Sequence, residues 1–304
     1  VSTAQGLPTR PTLDLTPRPV VAVLGSGTMG QGIAQVAAQA GHVTRVFDAA
    51  PGRASEALQA ISAQLEKLVS KNKMSVDSRD RALDCLRVAP DLPSACAEAG
   101  IIIEAIPENM DLKVALLREA RAAAPPRVLV ASNTSSLSIT EIGTRLGDPE
   151  HTVGLHFFNP PPVMELLEVV RGLGTSEPTL ERAINFAKQV GKTPIVVRDT
   201  PGFATSRLGV ILGAEAIRML ESGVATVADI DRAMELGYRH PMGPLKLTDL
   251  VGLDVRLAIL EHLHKEVGEQ FRPPALLRMM VRAGRLGKKT GEGFYHWRDG
   301  VPSV

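Results

Sequence analysis

The chain has 304 residues, 44% of them hydrophobic, and its 34 lysines and arginines nearly cancel its 33 aspartates and glutamates. That length exceeds what one hydrophobic core usually supports, so two domains are expected, and the balanced charge carries no electrostatic footprint for nucleic acid or a membrane surface. Its apolar runs are only strand-length, residues 1–18 lack the apolar centre of an export signal, and Cys85 and Cys96 lack metal-site spacing; we expect no membrane span, no metal, a reducing cytoplasm and a loose tail over residues 1–18.

From residue 19, short β-rich runs alternate with helix-length amphipathic segments. "PVVAVLG" precedes a helix from Thr28 to Ala40; "VTRVF" precedes helices reaching about Leu86; "IIIEAI" precedes a helix from Asn109 to about Ala123; and "RVLVAS" follows. Such alternation implies parallel strands joined by crossover helices. "HTVGLHF" and "VMELLEVV" are separated only by a proline-rich loop, which predicts an antiparallel pair before a helix from about Pro178 to Val190 and the strand "TPIVV". A first domain over 19–198 should close there. Beyond "RDTPG" only helices are expected: Phe203 to Ser222, Val227 to Leu236, Pro244 to about Val267 with a break at Gly252, and Pro274 to Ala283. Thr226 with Asp229 has capping-box spacing, Pro244 and Pro274 suit first turns, and Gly223, Gly237 and Gly284 suit helix ends. The second domain, 199–304, is therefore read as all-helical.

The segment "VVAVLGSGTMGQGIAQ" sets Gly25, Gly27 and Gly30 in G-x-G-x-x-G spacing between a strand and a helix that starts with Thr28 and Met29. The first glycine permits the tight turn, the second lets a pyrophosphate approach the backbone, and the third lets helix pack on strand. Asp48 ends the second strand, where its carboxylate can accept hydrogen bonds from an adenosine ribose and would repel a 2′-phosphate. This predicts an α/β Rossmann-type dinucleotide-binding domain that takes NAD in preference to NADP, with Arg45 and Arg53 as nearby cations that could receive the extra phosphate.

A hairpin centred near Pro162 would place His156 opposite Glu168. A carboxylate among Leu167, Val169 and Val170 is costly to bury unless paired, and a histidine beside it gains basicity and a fixed tautomer, so the pair reads as a general base with its orienting partner. The alternative is a satisfied core histidine and an edge-strand glutamate. Asn133, Thr134, Ser135 and Ser136 follow a strand and precede a helix near Ser138; there they face the ligand crevice of an open parallel sheet or cap the helix.

Together "GSGTMGQGIA", "SNTSSLSI", "GLHFFNPPPVMELLEVV", "DTPGF", "HPMGPLKLTDLVGLD" and "GKKTGEGFY" resemble the 3-hydroxyacyl-CoA dehydrogenase family, in family order from about residue 19 to 297. The resemblance is strongest to the short bacterial 3-hydroxybutyryl-CoA dehydrogenases. It implies NAD-dependent oxidation of an (S)-3-hydroxyacyl-CoA, or the reverse reduction, and a homodimer formed through the helical domain. It further implies His156 as base, Glu168 as its partner and Ser135 as the substrate-oxygen contact. Glu108, Lys113, Asn159 and Lys289 match positions associated with the cofactor. The chain reads "PGFATSR", placing Ser206 where many members have asparagine. Competing readings are a dehydrogenase of a free hydroxy acid, as in gulonate or carnitine branches, and a non-catalytic NAD-binding protein. For the CoA phosphates the candidates are Lys67, Lys71 and Lys73, clustered at a helix end that they would in any case favour electrostatically.

Overall fold

The computed structural model describes residues 18–303. Apart from Arg18, the tail expected over 1–18 lies outside the described residues. The first two-thirds of the chain is β1 (Val20–Leu24), α1 (Thr28–Gln39), β2 (Thr44–Phe47), α2 (Arg53–Ser70), α3 (Val76–Asp84), β3 (Leu86–Val88), α4 (Leu92–Cys96), β4 (Ala99–Glu104), α5 (Met110–Ala123), β5 (Leu129–Ser132), α6 (Ile139–Leu146), β6 (Thr152–Phe157), β7 (Leu166–Arg171), α7 (Glu177–Gln189) and β8 (Thr193–Arg198). The strands form one eight-stranded sheet in the order β3-β2-β1-β4-β5-β6-β7-β8. All its pairs are parallel except β6 with β7.

β4 and β5 are covered on both faces, as runs of consecutive buried residues in "IIIE" and "LVAS" require of a parallel sheet flanked by helices. One apolar cluster packs α1, α2 and α7 on one face, and a second packs α4, α5 and α6 on the other. Strand order reverses at β1, between β2 and β4, which opens a crevice at their carboxyl ends.

The remainder is α8 (Thr205–Glu221), α9 (Val227–Arg232), α10 (Pro244–Val251), α11 (Leu253–Glu266), α12 (Ala275–Arg282), β9 (His296–Arg298) and β10 (Val301–Ser303). It has its own apolar cluster, centred on Val210, Ile217, Leu245, Leu253 and Leu260. The break expected at Gly252 separates α10 from α11, and Gly252 adopts φ +103°. Two details differ from the sequence reading. The helices expected to reach Leu86 give way there to β3, and α4 follows; the helical half ends in a small two-stranded ribbon, β9 with β10. Asp249 holds that ribbon: its carboxylate, 1% exposed, accepts from the N–H of Phe294 and Tyr295 and from Trp297 Nε1, each at 2.9 Å.

Candidate active site

The glycine loop between β1 and α1 fits a dinucleotide by its shape. Gly25 has φ +99°, and a Cβ there would stand 2.7 Å from the Ala105 carbonyl; a Cβ on Gly30 would overlap the Gly25 carbonyl at 1.9 Å. Gly27, by contrast, faces open space, with nothing within 4 Å of its Cβ position. It is also the N-cap of α1, with no side-chain cap and no acidic residue in the first turn. The first-turn N–H groups at Thr28, Met29 and Gly30 are thus left for an anion, which the positive end of the helix also favours.

Asp48 stands just past β2. Its Oδ2 accepts from Ser26 N–H (2.8 Å) and Ser26 Oγ (2.7 Å), and its Oδ1 from Ala50 N–H (3.0 Å). Partial burial alone would raise its pKa, but these hydrogen bonds and the Arg53 charge outweigh that and hold the carboxyl below its ordinary value. A cleft of about 550 Å³ runs along Gly25, Gly27, Asp48, Ala49, Arg53 and Ile106. Of the two nearby cations, Arg45 is paired with Glu98 and Ser94, whereas Arg53 stays in the cleft wall. Asp48→Ala is expected to weaken NAD binding more than NADP binding, because it removes a ribose acceptor and a phosphate repulsion together. Equal loss for both cofactors, measured by titration, would contradict this.

A second cleft, about 340 Å³, shares Ala105 and Ile106 with the first and continues past Met29 to Asn133, Ser135, His156, Phe158 and Asn159. The β6–β7 register pairs His156 with Glu168 directly, and His156 Nδ1 is 2.7 Å from Glu168 Oε2. Glu168 is fully buried. Its Oε1 also accepts from Thr205 N–H (2.9 Å) and Ala204 N–H (3.2 Å), and its Oε2 from Thr205 Oγ1 (3.0 Å). Burial pushes this carboxyl upward, yet the donors from His156 and Thr205 prevail and hold it below its ordinary value. An ionised acceptor at Nδ1 fixes the ring as the Nδ1–H tautomer and leaves Nε2 with a free lone pair. Phe158 and Phe203 flank the ring, with centroids 4.6 and 5.8 Å away. Phe203 adopts φ +48°, a conformation costly for a bulky residue, beside Gly202 at φ +76° in the turn that leads into α8.

Beside this pair, Asn133 Oδ1 accepts the Phe157 N–H (2.9 Å), tying β5 to the end of β6. Glu108 collects Ser135 N–H (3.2 Å), Ser136 Oγ (3.0 Å) and Thr134 Oγ1, and so shapes the turn that presents Ser135. Lys113, 1% exposed, spends its ammonium on Glu104 (2.6 Å), the Ile106 carbonyl (3.1 Å) and Glu108 (3.2 Å). Lys113 thus lines the second cleft while bracing Glu104 and Glu108.

The structure does not bring Lys289 to either cleft. Its ammonium is held by both oxygens of Asp254, at 2.5 and 2.6 Å, in the helical half. Ser206 is partly buried in the first turn of α8 and its hydroxyl makes no hydrogen bond among the described residues; the neighbouring Thr205 makes the contact to Glu168 instead. Lys67, Lys71 and Lys73 lie exposed around the end of α2, without an ion pair among the described residues. Sequence reasoning passed over Glu104 and Thr205, although Glu104 carries the same signal as Glu168, a carboxylate inside an apolar run.

Residues 20–200 match the description "3-hydroxyacyl-CoA dehydrogenase, NAD binding domain", and residues 202–297 match the C-terminal domain of the same family. The chain belongs to the 3-hydroxyacyl-CoA dehydrogenase family. It is 43% identical over 280 residues to a probable 3-hydroxybutyryl-CoA dehydrogenase of Bacillus subtilis, covering 92% of this chain and 97% of that one. It is 41% identical over 280 residues to a 3-hydroxyadipyl-CoA dehydrogenase of Escherichia coli, covering 91% of this chain and 59% of that one. The crystal structure of an (S)-3-hydroxybutyryl-CoA dehydrogenase from Ralstonia eutropha superposes with TM-score 0.90 at 38% identity, covering 93% of this chain and 100% of that one. Membership makes residues 20–200 an NAD-binding domain and the chain an oxidoreductase. No helix among the described residues is long and apolar enough to cross a membrane.

Proposed function

We propose that this 3-hydroxyacyl-CoA dehydrogenase oxidises (S)-3-hydroxyacyl-CoA thioesters, 3-hydroxybutyryl-CoA among them, to 3-oxoacyl-CoA and also runs the reverse reduction. The observation that carries the reading is the buried His156–Glu168 pair, opening into one cleft with Ser135 at the end of the glycine-loop crevice. Bound NAD supplies the acceptor for the hydride that leaves C3. His156 Nε2 takes the proton of the 3-hydroxyl, and Glu168 stabilises the resulting imidazolium. The Ser135 hydroxyl donates to the same substrate oxygen and fixes it beside Nε2. Phe158 and Phe203 exclude water from the ring, which strengthens each of these interactions. Reduction of NAD with a panel of alcohols tests the reading. Turnover should require the CoA thioester, and comparable turnover of free 3-hydroxybutyrate, gulonate or carnitine would overturn it. Relatives of nearly equal identity are named for butyryl and adipyl substrates, so chain length is to be read from the same panel.

We place the CoA phosphates at Lys67, Lys71 and Lys73, exposed cations with no carboxylate neighbour within ion-pair distance among the described residues. Replacing all three by alanine should raise KM for acetoacetyl-CoA and flatten its dependence on salt, while a pantetheine thioester is little affected. Equal effects on both substrates would locate the phosphates elsewhere. Ser206 is assigned a weaker or water-mediated substrate contact. Ser206→Ala should cost about 1 kcal/mol of transition-state stabilisation, as for one neutral hydrogen bond; a loss of several orders of magnitude in kcat/KM would make it a principal group. The helical half exposes Leu208, Leu212, Val251 and Val255, an apolar surface consistent with pairing of two copies there. Cytoplasmic location suits the two free cysteines.

A further inference from the structure

The loop between β6 and β7 contains Pro160, Pro161 and Pro162, three consecutive residues with no backbone N–H. Such a segment cannot satisfy its own carbonyls by laddering, so donors must come from elsewhere. Pro160 O accepts from Val163 N–H (2.9 Å) and Met164 N–H (3.1 Å). The carbonyls of Pro161 and Met164 both accept from one side chain, Lys192, whose Nζ lies 2.6 and 2.8 Å away. Lys192 immediately precedes β8 and is only 9% exposed. No carboxylate pairs with it among the described residues. Burying an ammonium against carbonyls alone is costly, and burial lowers its pKa from the ordinary lysine value, with Glu165 opposing. On its other side the loop presses on α1, where a Cβ added to Gly32 would meet Pro161 Cδ at 2.6 Å. The loop is thus gripped between Lys192 and α1. What it holds toward the cleft is Phe158, 4.6 Å from the His156 ring, and Asn159, in the cleft wall.

We propose that Lys192 is a positioning residue for the reaction. By holding the carbonyls of Pro161 and Met164, it fixes Phe158 and Asn159 against His156 and so sets where the reacting end of the cleft lies. The inference rests on the assignment of His156 as the base. Lys192 does not line the cleft, so removing its ammonium alters the geometry of hydride transfer more than the affinity for either ligand.

Lys192→Met keeps the stem and removes the donors. The expected result is a fall in kcat of about ten- to hundred-fold, the scale of a small misplacement of reacting groups. NADH affinity should stay close to wild type, and the isotope effect on kcat with 4-deuterated NADH should rise as hydride transfer becomes the slow step. Lys192→Arg, which can still donate to both carbonyls, should recover part of the loss. Gly32→Ala presses on Pro161 from the opposite side with Lys192 intact and should reproduce the same kinetic signature. A lysine that only stabilises the fold would lower kcat in proportion to the folded fraction and leave KM and the isotope effect unchanged. That outcome, or wild-type kinetics in Gly32→Ala, overturns the proposal. Full turnover in His156→Ala would instead remove the base assignment, while the isotope effect of the Lys192 variants would still report on the loop.

Discussion

Replacing His156 by alanine is expected to lower turnover by about 10²- to 10⁴-fold, the usual contribution of a positioned general base, with NADH affinity close to wild type. The separation follows from where the ring sits. His156 faces the cleft that holds Ser135, whereas the proposed phosphate and adenosine contacts, the glycine loop and Asp48, line the other cleft. Steady-state rates with acetoacetyl-CoA, together with NADH fluorescence titration, read the two quantities independently. A folded variant that loses NADH binding would move His156 into the cofactor site.

Glu168→Gln is expected to retain the fold and to lose about 1.5–3 kcal/mol of transition-state stabilisation, roughly ten- to hundred-fold in rate. The amide oxygen can still accept from Thr205 or from the ring, but it carries no charge to stabilise an imidazolium. The substitution also has a signature in stability. In the fold the Glu168 pKa is depressed below its ordinary 4.5, because the donors from His156 and Thr205 outweigh burial. Its contribution is therefore fully present above that ordinary value and is lost as pH falls through the depressed one. Thermal unfolding midpoints of wild type and Glu168→Gln should accordingly differ most near neutrality and converge in acid. A gap that stays constant through the acid range would mean that the carboxylate is not held charged by its donors.

The pairing of His156 with Glu168 was legible because a strand alternates with period two, so a proline-centred hairpin fixes which residues stand opposite. The glycine loop was legible because each glycine answers a separate steric demand. Less accessible were contacts set by elements far apart in the chain. Thr205 reaches Glu168 just after a turn in which Gly202 and Phe203 both have positive φ, and no periodicity encodes that turn. Lys289 carried a motif position, yet whether its ammonium meets a cofactor or Asp254 is decided by the packing of the helical half. β3, β9 and β10 are three residues each, too short for a period to register, although Asp299-Gly300 between the last two is a recognisable hairpin turn.

Catalysis is proposed to take place in a cleft where cofactor, Ser135 and the His156–Glu168 pair meet, and the loss of NADH absorbance on adding acetoacetyl-CoA tests this most directly. The expected result is consumption of one NADH per acetoacetyl-CoA, with 3-hydroxybutyryl-CoA as the product. Tight binding of NADH with no consumption, at any pH where the protein is folded, would contradict the account and leave a dinucleotide-binding protein without this chemistry.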